Sequence, residues 1–114
     1  MGARLTSGFF VAALLRQCAV SDVVAVLRRR GAEEAGAIFV KVDRLDGRAD
    51  LYGPAPQSLV ESDDGERLFT RLSPDDASSL WAEERFSREI SFDGDAWLVE
   101  IEDREGRPFV PLAA

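Results

Sequence analysis

The chain has no histidine and a single cysteine in 114 residues. Without histidine it lacks the side chain most used for proton transfer near neutral pH and the commonest transition-metal ligand. Zinc sites and Ser-His-Asp or Cys-His catalysis are thereby excluded within one chain. A lone Cys18 cannot close an internal disulfide, so the cytoplasm is the expected compartment. Positive charge is also scarce: 14 Lys and Arg stand against 21 Asp and Glu, a net charge of -7. That balance opposes binding to nucleic acid or to an anionic membrane, and neither partner is expected.

Long apolar runs are missing too. The run from Gly8 to Leu15 is broken by Arg16, well short of a membrane span. It has the look of a secretion signal, but no small-residue cleavage site follows cleanly. Leu15-Arg16-Gln17-Cys18 has Arg and Gln where a lipoprotein signal needs small residues. Met1 to Thr6 fits the loose N-myristoylation pattern at Gly2, which is short enough to arise by chance.

A hydrophobic share of 46% in a chain of this length describes one folded domain, residues 1–114, with a continuous core. The expected fold class is α+β: an antiparallel sheet of about five to six strands, built from hairpin meanders, packed against two helices in two layers. Residues 8 to about 20 form the first helix, capped by Ser7, with Phe10, Leu14 and Cys18 at four-residue spacing. Cys18 on that face is a small core hydrophobe. Val23 to Arg30 is the first strand.

Ala37 to Ala55 alternates around Asp46-Gly47 and predicts a hairpin with a two-residue loop. Val42 is then set opposite Leu51 on an apolar face, and Asp43 opposite Asp50 on a polar one. Lys41 and Arg48, diagonal neighbours on that face, offset the acidic pair without a metal ion. An acidic loop, Ser58 to Gly65, lacks the ligand spacing of a calcium site. Glu66 to Leu72 is the fourth strand. Ser73-Pro74-Asp75-Asp76 predicts a helix start, with the helix running to about Arg88. Trp97 to Asp103 alternates as a strand, and a Glu105-Gly106 turn would set Ile101 opposite Val110 in a second hairpin.

Two groups of candidate residues follow. Arg28, Arg29, Arg30, Lys41 and Arg44 are the positive end of a candidate anion or ligand site, with Tyr52 or Trp97 as stacking partners. Leu80, Trp81, Phe86 and Ile90 are candidate interface residues, because the apolar positions of the second helix project to two nearly opposite sides. Glu100, Glu102 and Asp103 form the best carboxylate cluster, which alternation places mainly on a solvated face. No catalytic residue, metal ligand or cofactor is called for.

The segments AGAIFVKVDRLDGRADLYGPAP and FDGDAWLVEIEDREGRPF, with RLTSGFFVAALLRQCA before them, resemble a family of small bacterial proteins, domain of unknown function family 1491. The resemblance extends over nearly the whole chain. It implies a bacterial, cytoplasmic, single-domain protein and carries no activity, cofactor or site. The leading expectation is therefore a non-enzymatic interaction module that binds itself, as a homodimer, or another protein. The alternative is a regulatory domain for a small-molecule or nucleotide-type anion, and the third reading is a carboxylate-based hydrolase.

Overall fold

A computed structural model describes residues 5–56 and 66–113. The loop expected at Ser58 to Gly65 and the pattern at Gly2 lie outside them. In chain order the elements are α1 (Ser7–Val20), β1 (Ala25–Arg29), β2 (Ile38–Asp43), β3 (Ala49–Pro54), β4 (Phe69–Arg71), α2 (Ser79–Phe92) and β5 (Trp97–Glu102). The five strands form one sheet in the order β1-β5-β2-β3-β4.

The α+β class, the two helices and the five strands are as expected, with two corrections. The sheet is mixed: β5 does not fold back on the C-terminal tail but inserts between β1 and β2, antiparallel to the first and parallel to the second. The helices also lie on opposite faces, so the sheet is a middle layer. On one face α1 sends Val11, Leu14 and Cys18 onto Ile38, Val40, Val42, Trp97, Val99 and Ile101. On the other, Ala82 and Phe86 of α2 pack on Phe39, Leu51 and Leu98.

Two-sided burial explains the register of the β2–β3 hairpin. Val42 faces Asp50 and Val40 faces Tyr52, one residue away from the expected pairing. The loop is one residue longer than a two-residue turn: the Arg44 N–H donates to the Arg48 carbonyl (3.0 Å), with Leu45 (φ 64°) and Gly47 (φ 92°) in the left-handed region. Asp43 Oδ1 accepts from Leu45 N–H and Asp46 Oδ1 from Arg48 N–H, which fixes that longer loop. Because both faces are covered, a slip trades one buried surface for another and carries no solvation penalty that sequence alternation could reveal. Asp43 and Asp50 consequently lie on opposite faces.

The helix ends have local causes. Thr6, not Ser7, caps α1 by accepting the Phe9 N–H (3.2 Å), while the Ser7 hydroxyl is buried and donates to the Gly36 carbonyl at 2.6 Å. α1 stops in a Schellman motif. Asp22 (φ 59°) sits at the left-handed position, its N–H donates to Ala19 and the Val23 N–H to Cys18. α2 starts five residues later than expected. Ser78 caps it, whereas Ser73 is buried and its hydroxyl accepts the Leu51 N–H at 3.0 Å. Pro74 to Ala77 is a turn whose Ala77 carbonyl accepts from Ala49 N–H. α2 runs on through Ile90 to Phe92, beyond the expected end near Arg88.

The expected second hairpin is absent among the described residues. After β5 the chain turns at Asp103–Gly106 and crosses the α1 face, burying Val110, until Leu112 bridges to Phe69 beside β4. Among the described residues no helix is long and apolar enough to cross a membrane.

Candidate functional site

Three places on this scaffold combine unusual residues with access. The first is a charge cluster under α2. Alternation along β2 puts Lys41 on the same face as Phe39, and the parallel pairing sets Glu100 beside it. Ser79 and Glu83, one turn apart on α2, descend onto the same spot. The Lys41 ammonium is 4% exposed and donates to Ser79 Oγ at 2.7 Å and to Glu83 Oε2 at 2.6 Å, with Glu100 Oε2 at 3.9 Å. Arg28 closes the cluster from β1, donating to both Glu83 oxygens at 3.0 Å and to Glu100. The Arg28 guanidinium, and Lys41 after it, hold the Glu83 carboxyl below its usual range. Two cations and two anions balance, so the cluster offers no free acid, base or anion-binding charge.

The second is a polar groove at the far end of the sheet. β2, β4 and β5 all run in one direction, and the carboxyl ends of β2 and β4 open into the groove. About 190 Å³ of space is lined by Arg44, Arg48, Asp50, Arg71, Asp75 and Asp76, closed below by Ala77. Arg48 is anchored by Asp46 Oδ2 at 2.6 and 3.0 Å, which lowers the Asp46 carboxyl to about 2, and Arg71 by Asp75. Arg44 lies against Gly106 and, among the described residues, meets Asp50 only at 3.9 Å and has no partner for its buried Nε.

The third is the outward side of α1. Phe9 is 60% and Val20 79% exposed, and with Ala12, Ala13, Arg16 and Gln17 they line an open depression of about 540 Å³.

The structure divides the expected ligand residues among these places. Arg28 and Lys41 meet, but in a neutral cluster. Arg29 donates to the carbonyls of Gly94 and Ala96 (2.9 and 2.7 Å), and Arg30 pairs with Glu33 and lies over Trp97. Arg44 belongs to the groove. Tyr52 is buried in the α1-side core, where loss of solvent raises its pKa, and Trp97 is buried with its indole N–H on the Ala32 carbonyl (2.8 Å). Neither ring offers a stacking face.

The expected carboxylate cluster is dispersed as well. Glu100 joins Arg28, Glu102 is exposed, and Asp103 is buried and held below its usual range by Arg107, whose N–H groups reach it at 2.7 to 3.0 Å. Of the expected interface residues, Phe86 is 6% exposed and packs edge to face on Phe39, Trp81 and Ile90 are partly buried beside it, and Leu80 is exposed. Glu83, Arg48, Asp50 and Arg71 escaped as site residues. Nothing in local spacing separates Glu83 from Glu84, and Arg71 reaches the groove only through the long-range pairing of Tyr52 with Arg71.

A family model described as "Protein of unknown function (DUF1491)" matches residues 5–111. The chain belongs to the DUF1491 family. A solution structure of a protein from A. tumefaciens is 40% identical, with a TM-score of 0.81, covering 96% of this chain and 94% of that one. A crystal structure of a DUF1491 protein from Caulobacter crescentus CB15 is 33% identical, with a TM-score of 0.78 and coverages of 96% and 98%. An NMR structure of a DUF1491 protein from the same organism is 34% identical, with a TM-score of 0.78 and coverages of 99% and 100%. No curated protein matches the chain. The DUF1491 likeness covers the whole of the sheet, both helices and the groove, and brings no activity with it.

Proposed function

We propose that this DUF1491 protein is a non-enzymatic interaction domain of the bacterial cytoplasm that self-associates through the outward side of α1. The observation that carries this reading is that α1 is apolar nearly all round yet, among the described residues, covered on one side only. Its fourteen residues include one charge, Arg16, in a molecule of net charge -7. Helices of that composition are normally enclosed. An acidic molecule also meets its own copy with least repulsion across a face free of carboxylates.

The spacing favours an isologous contact. With α1 antiparallel to its copy and the twofold axis between Leu14 and Leu15, Phe9 opposes Val20, Ala12 opposes Gln17 and Ala13 opposes Arg16. Each pair sets a larger side chain against a smaller one, so the two helices approach closely. One helix face supplies less than the roughly 800 Å² per partner of a standard interface, so the dimer is reversible. The free, buried Cys18 supports a reducing compartment. Phe86 packs in the α2-side core, which favours α1 over α2 as the contact surface.

Sedimentation velocity across a concentration series tests the proposal. The expected result is a monomer–dimer equilibrium built on the 12.5 kDa chain, shifted to monomer by Ala13→Glu or Phe9→Glu with unchanged circular dichroism. A wild-type protein that stays monomeric throughout, or variants that dimerise as well as wild type, would overturn it.

A further inference from the structure

We infer that the groove at the carboxyl ends of β2 and β4 is a binding site for a small zwitterion of the α-amino-acid class. Asp50 is the first sign of it. Its side chain is 9% exposed, lines the groove, and among the described residues its one ion pair, with Arg44 Nη1, spans 3.9 Å. A buried carboxylate ordinarily accepts several short hydrogen bonds. Among the described residues Asp50 has acceptor capacity to spare, and the Arg44 guanidinium beside it is equally short of acceptors. The two charges face each other across a gap that neither closes.

The rest of the lining sorts by sign. Arg48 donates twice and Arg71 once to a carboxylate of its own, Asp46 and Asp75, and among the described residues both have further N–H groups uncommitted. Asp76, beside Asp75 in the Pro74–Ala77 turn, adds negative charge at the rim. Three arginines and three aspartates thus line one space of about 190 Å³. A simple anion would be drawn by Arg44, Arg48 and Arg71 but would meet Asp50, Asp75 and Asp76. A simple cation meets the reverse, and among the described residues no group of carboxylates is arranged to hold a metal ion.

A ligand bearing both signs on neighbouring atoms satisfies both halves. Its carboxylate takes the guanidinium N–H groups of Arg44 and Arg71, in the geometry that suits arginine, and its ammonium donates to Asp50. The backbone beneath the lining is held by the strand ladders and by the Ala49 N–H bond to the Ala77 carbonyl. It lies on a different part of the molecule from the outward side of α1, and does not depend on self-association.

Amide chemical shifts of the wild-type protein, followed while the common α-amino acids are added one at a time, provide the test. The expected result is saturable movement confined to residues 44–50 and 71–77 for at least one of them. The N-acetyl form of that amino acid, which lacks the ammonium, and its methyl ester, which lacks the carboxylate, should each bind about tenfold more weakly or worse. Asp50→Asn should produce the same loss for the free amino acid while leaving the N-acetyl form unchanged. Should Asp50→Asn fail to fold, Arg71→Gln on the exposed side of the groove, with the ester as partner, answers the same question. No saturable shift at about 10 mM of any amino acid, or inorganic phosphate or the N-acetyl form binding as well as the free amino acid, would overturn the inference.

Discussion

Lys41 Nζ lies 2.6 Å from Glu83 Oε2, joining the centre of the sheet to the second turn of α2. An ammonium buried this far is tolerated only while its partners stay in place, because removing one side of a buried pair leaves the other charge uncompensated. Glu83→Gln should cost about 3 kcal/mol, because the buried Lys41 then has Glu100 only at 3.9 Å, and Lys41→Met should cost less, because Arg28 still pairs Glu83. The double variant should cost less than the sum, with a coupling of about 1 kcal/mol or more. Urea titrations of the four proteins check this, and additive losses would show that the pair contributes nothing specific.

The acid limb of stability follows from the same cluster. Arg28 holds Glu83 below its ordinary 4.5, and Arg107 holds Asp103 below its ordinary 3.8. Both carboxyls bind protons more readily in the unfolded chain, so stability rises with pH through this range. Their contribution is complete above the unfolded values and is lost as pH falls through the lower folded ones. The urea midpoint should therefore decline as pH falls below 4.5, and Glu83→Gln should make that decline shallower. Curves that run parallel for the two proteins would refute the assignment.

Phe86 meets Phe39 edge to face, with ring centroids 5.5 Å apart. Phe86→Ala should cost about 3–5 kcal/mol, as emptying an aromatic site in a packed core does. Phe86→Glu should unfold the monomer rather than dissociate a dimer. A folded, monomeric Phe86→Glu protein by circular dichroism and sedimentation would return the residue to an interface.

Gly53 is a packing position. A Cβ there would come within 2.8 Å of Phe39 Cε2 and 2.9 Å of Leu72 Cδ1, between ring and aliphatic chain. Gly53→Ala should lower stability by about 1–3 kcal/mol. Gly94 has nothing within 4 Å of the same position, and Gly94→Ala should be neutral or stabilising by about 0.5 kcal/mol. Thermal melts separate the two, and equal effects would mean that Phe39 and Leu72 give way.

How much of this was legible in the sequence depends on how far each cause lies along the chain. The helix over residues 8 to 20, the burial of Cys18 and the strand character of Trp97 to Asp103 follow from local periodicity and were readable. The hairpin was readable in existence but not in register, because Lys41 and Asp50 look like solvent-facing residues and are both buried. The start of α2 was not legible for a similar reason. Ser73 has every local mark of an N-cap, yet a strand N–H, that of Leu51, claims its hydroxyl. The groove depended on three segments converging at strand ends, and the Lys41 cluster on four, none of which a local pattern announces.

The insertion of β5 between β1 and β2 also sets the order of assembly. The two amino-terminal strands, complete by residue 43, have no direct contact in the ladder and wait for residues 97–102 to join them. Residues 97–102 must leave the ribosome before the sheet can close. Until then β1 and the inner edge of β2 are open to pairing with other chains. Contacts this distant in sequence slow folding, so the nascent protein is most exposed to misassembly just before β5 arrives.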